Sequence, residues 1–365
     1  MVDIPAGTRW PAGASTGVGS WPGVDLQAAA RAVVEDCPDL PYLPELPARG
    51  PGGDLLGRGA SLLVGMPVEL VAGRWRMSRR PGVDLRRGQD LLIRDLDAWG
   101  EAADGFQGRV KISAAGPWTL AAGLELATGH PVLADSGATA DLIASVAEGV
   151  AALVTEVRRR VPGARVLLVL DEPSAPAVLT GSVPTASGLG RVGAVDPTRL
   201  QAGLHRVLSA ATGPAGPEAT TIGTTLGGVH CCAADPPVEV FVAAGAQVLS
   251  LDIATLFPSG ASGPRCEQAI GEAIEADVGL LAGLVPTLAP GIPAPPEQLA
   301  EPLRRLWGRL GLPQSRLATQ VAVTPSCGLA AATPDWARAA GRLAGRVGQL
   351  LARPGGFDDL PGRRS

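Results

Sequence analysis

The sequence predicts an α/β protein built as a single (β/α)8 TIM barrel, and three observations carry that expectation. Short β-rich runs alternate with longer amphipathic helical patterns along nearly the whole chain, the signature of repeated strand–helix units. The run RVLLVLDEP at residues 165–173 is nearly all apolar until Asp171, as a strand covered by helices on both faces requires. The 365 residues are 46% hydrophobic and 18% charged, enough apolar surface for one large core and too little charge for a disordered chain.

Strands are expected at residues 15–20, 41–46, 109–114, 165–171, 219–225, 247–252, 278–285 and 317–324. Helices are expected at 25–34, 84–103, 141–160, 197–211, 236–244, 266–275, 296–310 and 334–351. Several of these open on Asp or Pro, as with Asp25, Asp84, Pro197 and Pro334, where a carboxylate caps free N–H groups or the proline ring presets φ. With 7 Trp, 1 Tyr and 4 Phe, the core falls mainly to Ala, Val and Leu. Residues 68–78, VELVAGRWRMS, alternate around Gly73 and predict a small hairpin inserted after the second strand. The barrel is expected to occupy residues 1–353, with PGGFDDLPGRRS at 354–365 as a loosely ordered tail.

A net charge of -4 and a pI near 5.5 argue against a nucleic-acid partner. The most apolar stretch, residues 278–294, is interrupted by Pro286, Pro290 and Pro293 and makes a poor membrane span. MVDIPAGTRWPAG lacks a positive region followed by an apolar run, so a cytoplasmic protein is expected. Five cysteines in a long chain of this kind are better read as buried, reactive or metal-bound than as a disulfide framework.

In such a barrel the chemistry belongs at the C-terminal ends of the strands. The fifth strand leads into GGVHCCAADPP, where His230 and Cys232 are two apart and so project to one side of an extended segment, within reach of one ion. Alone, the pair also reads as buried packing, since free cysteine usually behaves as a small hydrophobe. Asp252 ends the sixth strand and Cys327 lies in the PSCG loop after the eighth, so that one imidazole, two thiols and a carboxylate gather at one rim, with the S and N donors that zinc prefers. Cys37 and Cys266 fall outside that pattern and read as core or surface. Asp171 and Glu172 end the fourth strand; they suit a substrate ammonium, an acid–base pair, or a cap on the next segment. Ser20 lies in the turn after the first strand, and Glu45, Arg49 and Asp54 lie at or just past the second, where surface charge is the plainer reading.

GVGSWP, LVLDEPSAP, VHCC, VLSLD and TPSCGLA, in this order, resemble the C-terminal catalytic barrel of the cobalamin-independent methionine synthase family, and LPELPARGPGGD looks like a short single-barrel actinobacterial branch of it. The resemblance implies a zinc ion on His230, Cys232, Asp252 and Cys327, Asp171 on the ammonium of homocysteine, Ser20 from the first-strand loop, and Glu45 as a second amino-group acid. It implies a methyltransferase of the methyltetrahydropteroyltriglutamate–homocysteine type: zinc deprotonates the thiol near neutral pH, and the thiolate attacks a methyl group. The methyl donor would be a folate or a methylated corrinoid protein. Asp252 replaces the family's Glu, Leu288 stands near the family's proton-relay histidine, and Gly123 stands near the tryptophan that stacks on the folate. Rival readings are a corrinoid-dependent methyltransferase for another thiol, a uroporphyrinogen decarboxylase-like lyase, and a non-catalytic thiol-binding barrel.

Overall fold

The computed structural model describes residues 9–213, 225–254, 256 and 263–353. Among them, six parallel strands lie side by side in chain order: β3 (Gly108–Ala115), β4 (Ala164–Asp171), β5 (Leu226–Cys231), β6 (Val248–Leu251), β7 (Gly279–Val285) and β8 (Val321–Pro325). A separate antiparallel hairpin, β1 (Val68–Val71) and β2 (Arg74–Met77), turns through Ala72 and Gly73, both at positive φ, the geometry of a two-residue hairpin loop. The principal helices are α1 (Leu26–Asp36), α2 (Leu55–Ser61), α3 (Val83–Ala102), α4 (Pro117–Gly123), α5 (Ser136–Arg160), α6 (Ala175–Thr180), α7 (Pro197–Thr212), α8 (Val238–Ala243), α9 (Gly263–Glu275), α10 (Pro296–Leu310), α11 (Ser315–Gln320) and α12 (Pro334–Ala352). The long ones match the predicted helices closely; the short α2, α4, α6 and α11 have too few turns for a periodic pattern to reveal them. α5 is long and apolar enough to cross a membrane, but more than half of its most apolar window is buried inside the fold.

The regular sheet is a curled half-barrel, open between β8 and β3, and the expected eight strands become six. Residues 15–20 and 41–46 are extended but join their neighbours only by isolated parallel bridges: Ser15 with Val323, Ser20 with Glu45, and Tyr42 with Lys111. Backbone hydrogen bonds mark that path, including Thr16 N to Val323 O (3.0 Å), Glu45 N to Gly19 O (3.0 Å) and Leu43 N to Lys111 O (3.0 Å). Pro41 and Pro44 lack the N–H that a continuous ladder needs, which keeps the second segment irregular.

Two strand boundaries also differ from expectation. The fifth strand was expected at 219–225; residues 219–224 lie outside the described residues, and the strand runs from Leu226 to Cys231, so His230 lies within it rather than beyond it. The Gly227–Gly228 pair resembles a turn in sequence, yet here glycine serves close packing: a Cβ at position 228 would lie 2.8 Å from the Val248 carbonyl of β6. The eighth expected strand begins as α11, and β8 starts at Val321.

The period-two alternation of the strands sorts the core into two chambers. One parity packs against the helices. The other points inward, where Leu167, Val169, Leu226, Val248, Leu281 and Ala322 join Ala14, Leu40 and Trp10 in a separate apolar cluster. In-register pairs put Lys111 beside Leu167, Ser113 beside Val169, and Asp171, His230 and Ser250 in one row, so the same inward face turns polar toward the C-terminal ends.

Gly228→Ala tests this close approach of β5 and β6. The added methyl meets backbone and the Val248 side chain, and the expected loss is about 1–3 kcal/mol of stability in urea unfolding.

Candidate metal centre

His230, at the end of β5, has its ring fixed by Ser250 of β6: Nδ1 lies 3.1 Å from the Ser250 carbonyl and 3.0 Å from its Oγ. A carbonyl can only accept, so Nδ1 carries the proton and Nε2 keeps its lone pair. Nε2 is buried with no hydrogen-bond partner. Cys232 follows β5 by one residue and Cys327 follows β8 by two; their sulfurs lie 3.2 Å apart, and the ligand atoms of His230, Cys232 and Cys327 all fall within 4.8 Å of one another. The hydrogen bond between the two sulfurs holds the Cys327 thiol well below its usual value, at about 4, and pushes Cys232 up. An orphaned imidazole nitrogen beside two close sulfurs is the soft donor set that fits zinc. Asp252 follows β6 directly but is not one of this group. Cys231, on the opposite parity, is buried in the outer core, where burial raises its thiol to about 12.

The Cys327 loop is held by the first extended segment. Ser20 O accepts from Leu329 N (3.0 Å) and Ser20 Oγ accepts from Ala330 N (3.3 Å). Gly328 is required at this seam, since a Cβ there would lie 2.0 Å from Ser20 Oγ.

The predicted acids divide into different roles. Asp171 is 7% exposed, faces inward, and its Oδ1 is buried without a hydrogen-bond partner. Burial raises its carboxyl to about 7, against the pull of His230 and Lys111. Glu172, on the other parity, accepts from Trp118 N (2.9 Å), Thr119 N (2.8 Å) and Thr119 Oγ1 (2.8 Å), and so caps the first turn of α4. Glu45 is buried and paired with Arg58 at 3.2 Å; Arg58 also pairs with Asp95, and Asp95 with Arg49 at 2.7 Å. Burial raises the Glu45 carboxyl, while Arg58 and then Lys111 pull it down. Asp54 caps α2 through Gly57 N.

Sequence reasoning missed Lys111 as part of this chamber. Its side chain is 1% exposed, and its Nζ donates to Val18 O (2.5 Å) and Ser113 Oγ (2.7 Å). Desolvation lowers the ammonium to about 8, opposed by Asp171 and Glu45. The available signal was a sole lysine inside a predicted β-strand. At position 123 a Cβ would lie 2.6 Å from Leu56, so no larger side chain fits there without movement. Leu288, after β7, is 55% exposed.

No protein-family model matches the chain, and no curated protein matches it. Among solved structures it is similar to a B12-independent methionine synthase from Shewanella sp. W3-18-1 in complex with selenomethionine, with a TM-score of 0.52 and 13% identity over 93% of this chain and 96% of that one. At that identity the likeness establishes the α/β fold, with its curled parallel sheet.

Burial raises Glu172 from an ordinary 4.5 to about 7 even though three donors reach it. The folded state therefore holds its proton more tightly than the unfolded state, and the group's contribution to stability is lost as pH rises from about 4.5 through 7. Glu172→Gln presents an amide N–H to donors and is expected to cost about 1–3 kcal/mol. Denaturant titrations should show that cost greatest near the lower end of this window and shrinking toward its upper end, because only the wild type loses stability with pH at this position.

Proposed function

We propose that residues 1–353 form one (β/α)8-type domain, with 354–365 as a tail, that binds zinc and transfers a methyl group to the thiol of homocysteine to give methionine. The observation that carries this reading is the convergence of His230 Nε2 with the Cys232 and Cys327 sulfurs at the C-terminal rim, in the same inward face as the unpartnered Asp171 carboxylate. The likeness to a methionine synthase structure supports it. A cytoplasmic location belongs to the same reading.

His230, Cys232 and Cys327 would hold the metal, and Asp252 would complete the set through water or a small shift of the strand end. Zinc so bound supplies Lewis acidity that keeps a substrate thiol as thiolate at neutral pH. Asp171 orients the acceptor by taking its ammonium, a charge-assisted contact made at a buried carboxyl. Ser20 keeps the Cys327 loop in place and lines the same end of the chamber. Glu45, its charge matched by Arg58, would offer the same ammonium a second acceptor.

Protein purified without chelator is expected to carry about one zinc per chain, and Cys327→Ser to lose it under mild chelator challenge while keeping its circular dichroism spectrum. Full metal retention by the variant would remove Cys327 from the site.

The donor reading follows from position 123. With glycine at 123 beside Leu56, no aromatic side chain stands there as a pterin platform, and a methylated corrinoid would approach the rim instead. Methylcobalamin is expected to support faster methyl transfer to homocysteine by zinc-loaded protein than methyltetrahydrofolate. Faster turnover with the folate would reverse the donor assignment, and no turnover with either would favour a thiol-binding role.

A further inference from the structure

We propose that Lys111 is a specificity-determining residue of the acceptor chamber: its buried ammonium, set beneath the Val18–Ser20 turn, draws the carboxylate of an amino-acid thiol while Asp171 takes the ammonium. The inference rests on the methyl-acceptor reading above and adds the chemistry of the substrate's far end.

The argument is one of charge balance. Glu45 is matched by Arg58, Arg58 also by Asp95, and Asp95 by Arg49, so that buried network is neutral within itself. Lys111 and Asp171 are left as opposite charges on the inward faces of neighbouring strands, four residues apart in register, a separation the length of an amino-acid thiol can bridge. An unbalanced buried acid selects a cation, whereas an acid and an ammonium spaced along one inward face match the two ends of a zwitterion, which brings no net charge into a region where uncompensated charge is costly.

The hydrogen-bond inventory agrees. An ammonium has three donors, and Lys111 spends two, on Val18 O and Ser113 Oγ. Ser113 Oγ is itself directed to Val18 O at 2.8 Å, so the turn stays anchored independently of the lysine. Around the same inward face, Asp171 Oδ1, Thr16 Oγ1 and Thr324 Oγ1 are buried without hydrogen-bond partners. Groups of that kind suit a polar guest.

The test is calorimetric titration of zinc-loaded protein with homocysteine, with its decarboxylated analogue aminopropanethiol, and with its deaminated analogue sulfanylbutanoate. Lys111→Gln keeps a donor near Val18 O but removes the charge. It is expected to weaken homocysteine and sulfanylbutanoate about ten-fold, the scale of one charge-assisted contact, and to leave aminopropanethiol unchanged or tighter. An equal loss for all three thiols, or none, overturns the assignment of Lys111 while leaving the methyl-acceptor reading intact. If the wild type binds none of them, both fall together. Should the variant fail to fold, the wild type decides: sulfanylbutanoate is expected to bind about ten-fold tighter than uncharged propanethiol, and equal affinities overturn the proposal.

Discussion

A charged side chain inside a curled parallel sheet persists only where an opposite charge or a set of donors reaches it, and this constraint organises the upper half of the molecule. Uncovering one partner of a buried ion pair costs about 3–5 kcal/mol, so each charge fixes the next. Glu45 on the second extended segment requires Arg58 on α2; Arg58 pairs with Asp95 on α3; and Asp95 also pairs with Arg49 in the loop before α2. An irregular segment with few ladder bonds is thereby tied to two helices through its one acid. Glu172 solves the same problem differently: its carboxylate sits on three donors at the start of α4, linking the end of β4 to the helix after β3.

The second organising fact is parity. Adjacent residues at the strand ends have opposite fates because successive side chains leave opposite faces. Asp171 enters the chamber and Glu172 caps a helix; His230 and Cys232 converge with Cys327 while Cys231 is sealed in the outer core. The apolar floor under the chamber, closed by Trp10 and Leu40, follows from the same alternation earlier along β4, β5, β6, β7 and β8. The polar layer is therefore shallow on β4, while on β3 Lys111 carries it down to the level of Leu167.

This parity is also why much of the molecule could be read from its sequence. Five of the six regular strands and the long helices announce themselves by period, β5 lying beyond its expected place, and the H-x-C spacing puts His230 and Cys232 on one side. What escaped reading depends on pairings between distant residues. Nothing local marks Arg58 and Asp95 as partners, and the Gly227–Gly228 pair falls after the expected strand because its purpose, admitting β6, lies in another strand. Glu172 could not be separated from Asp171 without knowing where β4 begins and which face its neighbours cover. Lys111 carried only its solitude as a signal. The first two strands were overestimated because proline and glycine permit extended backbone without supplying a ladder.

That irregularity has a physical consequence at the candidate site. A strand carbonyl engaged in a regular ladder spends its best lone-pair direction on a neighbouring N–H. Val18 O is instead open to two side-chain donors, Lys111 Nζ and Ser113 Oγ, and the residues beside it are free to bend toward β8. Ser20 can then hold the 328–330 loop by both its carbonyl and its hydroxyl, and Cys327 is carried on that loop. Ser20 makes both attachments while keeping its parallel bridge to Glu45. The first extended segment thus carries the loop whose cysteine brings the third ligand atom to the other two across the mouth of the barrel.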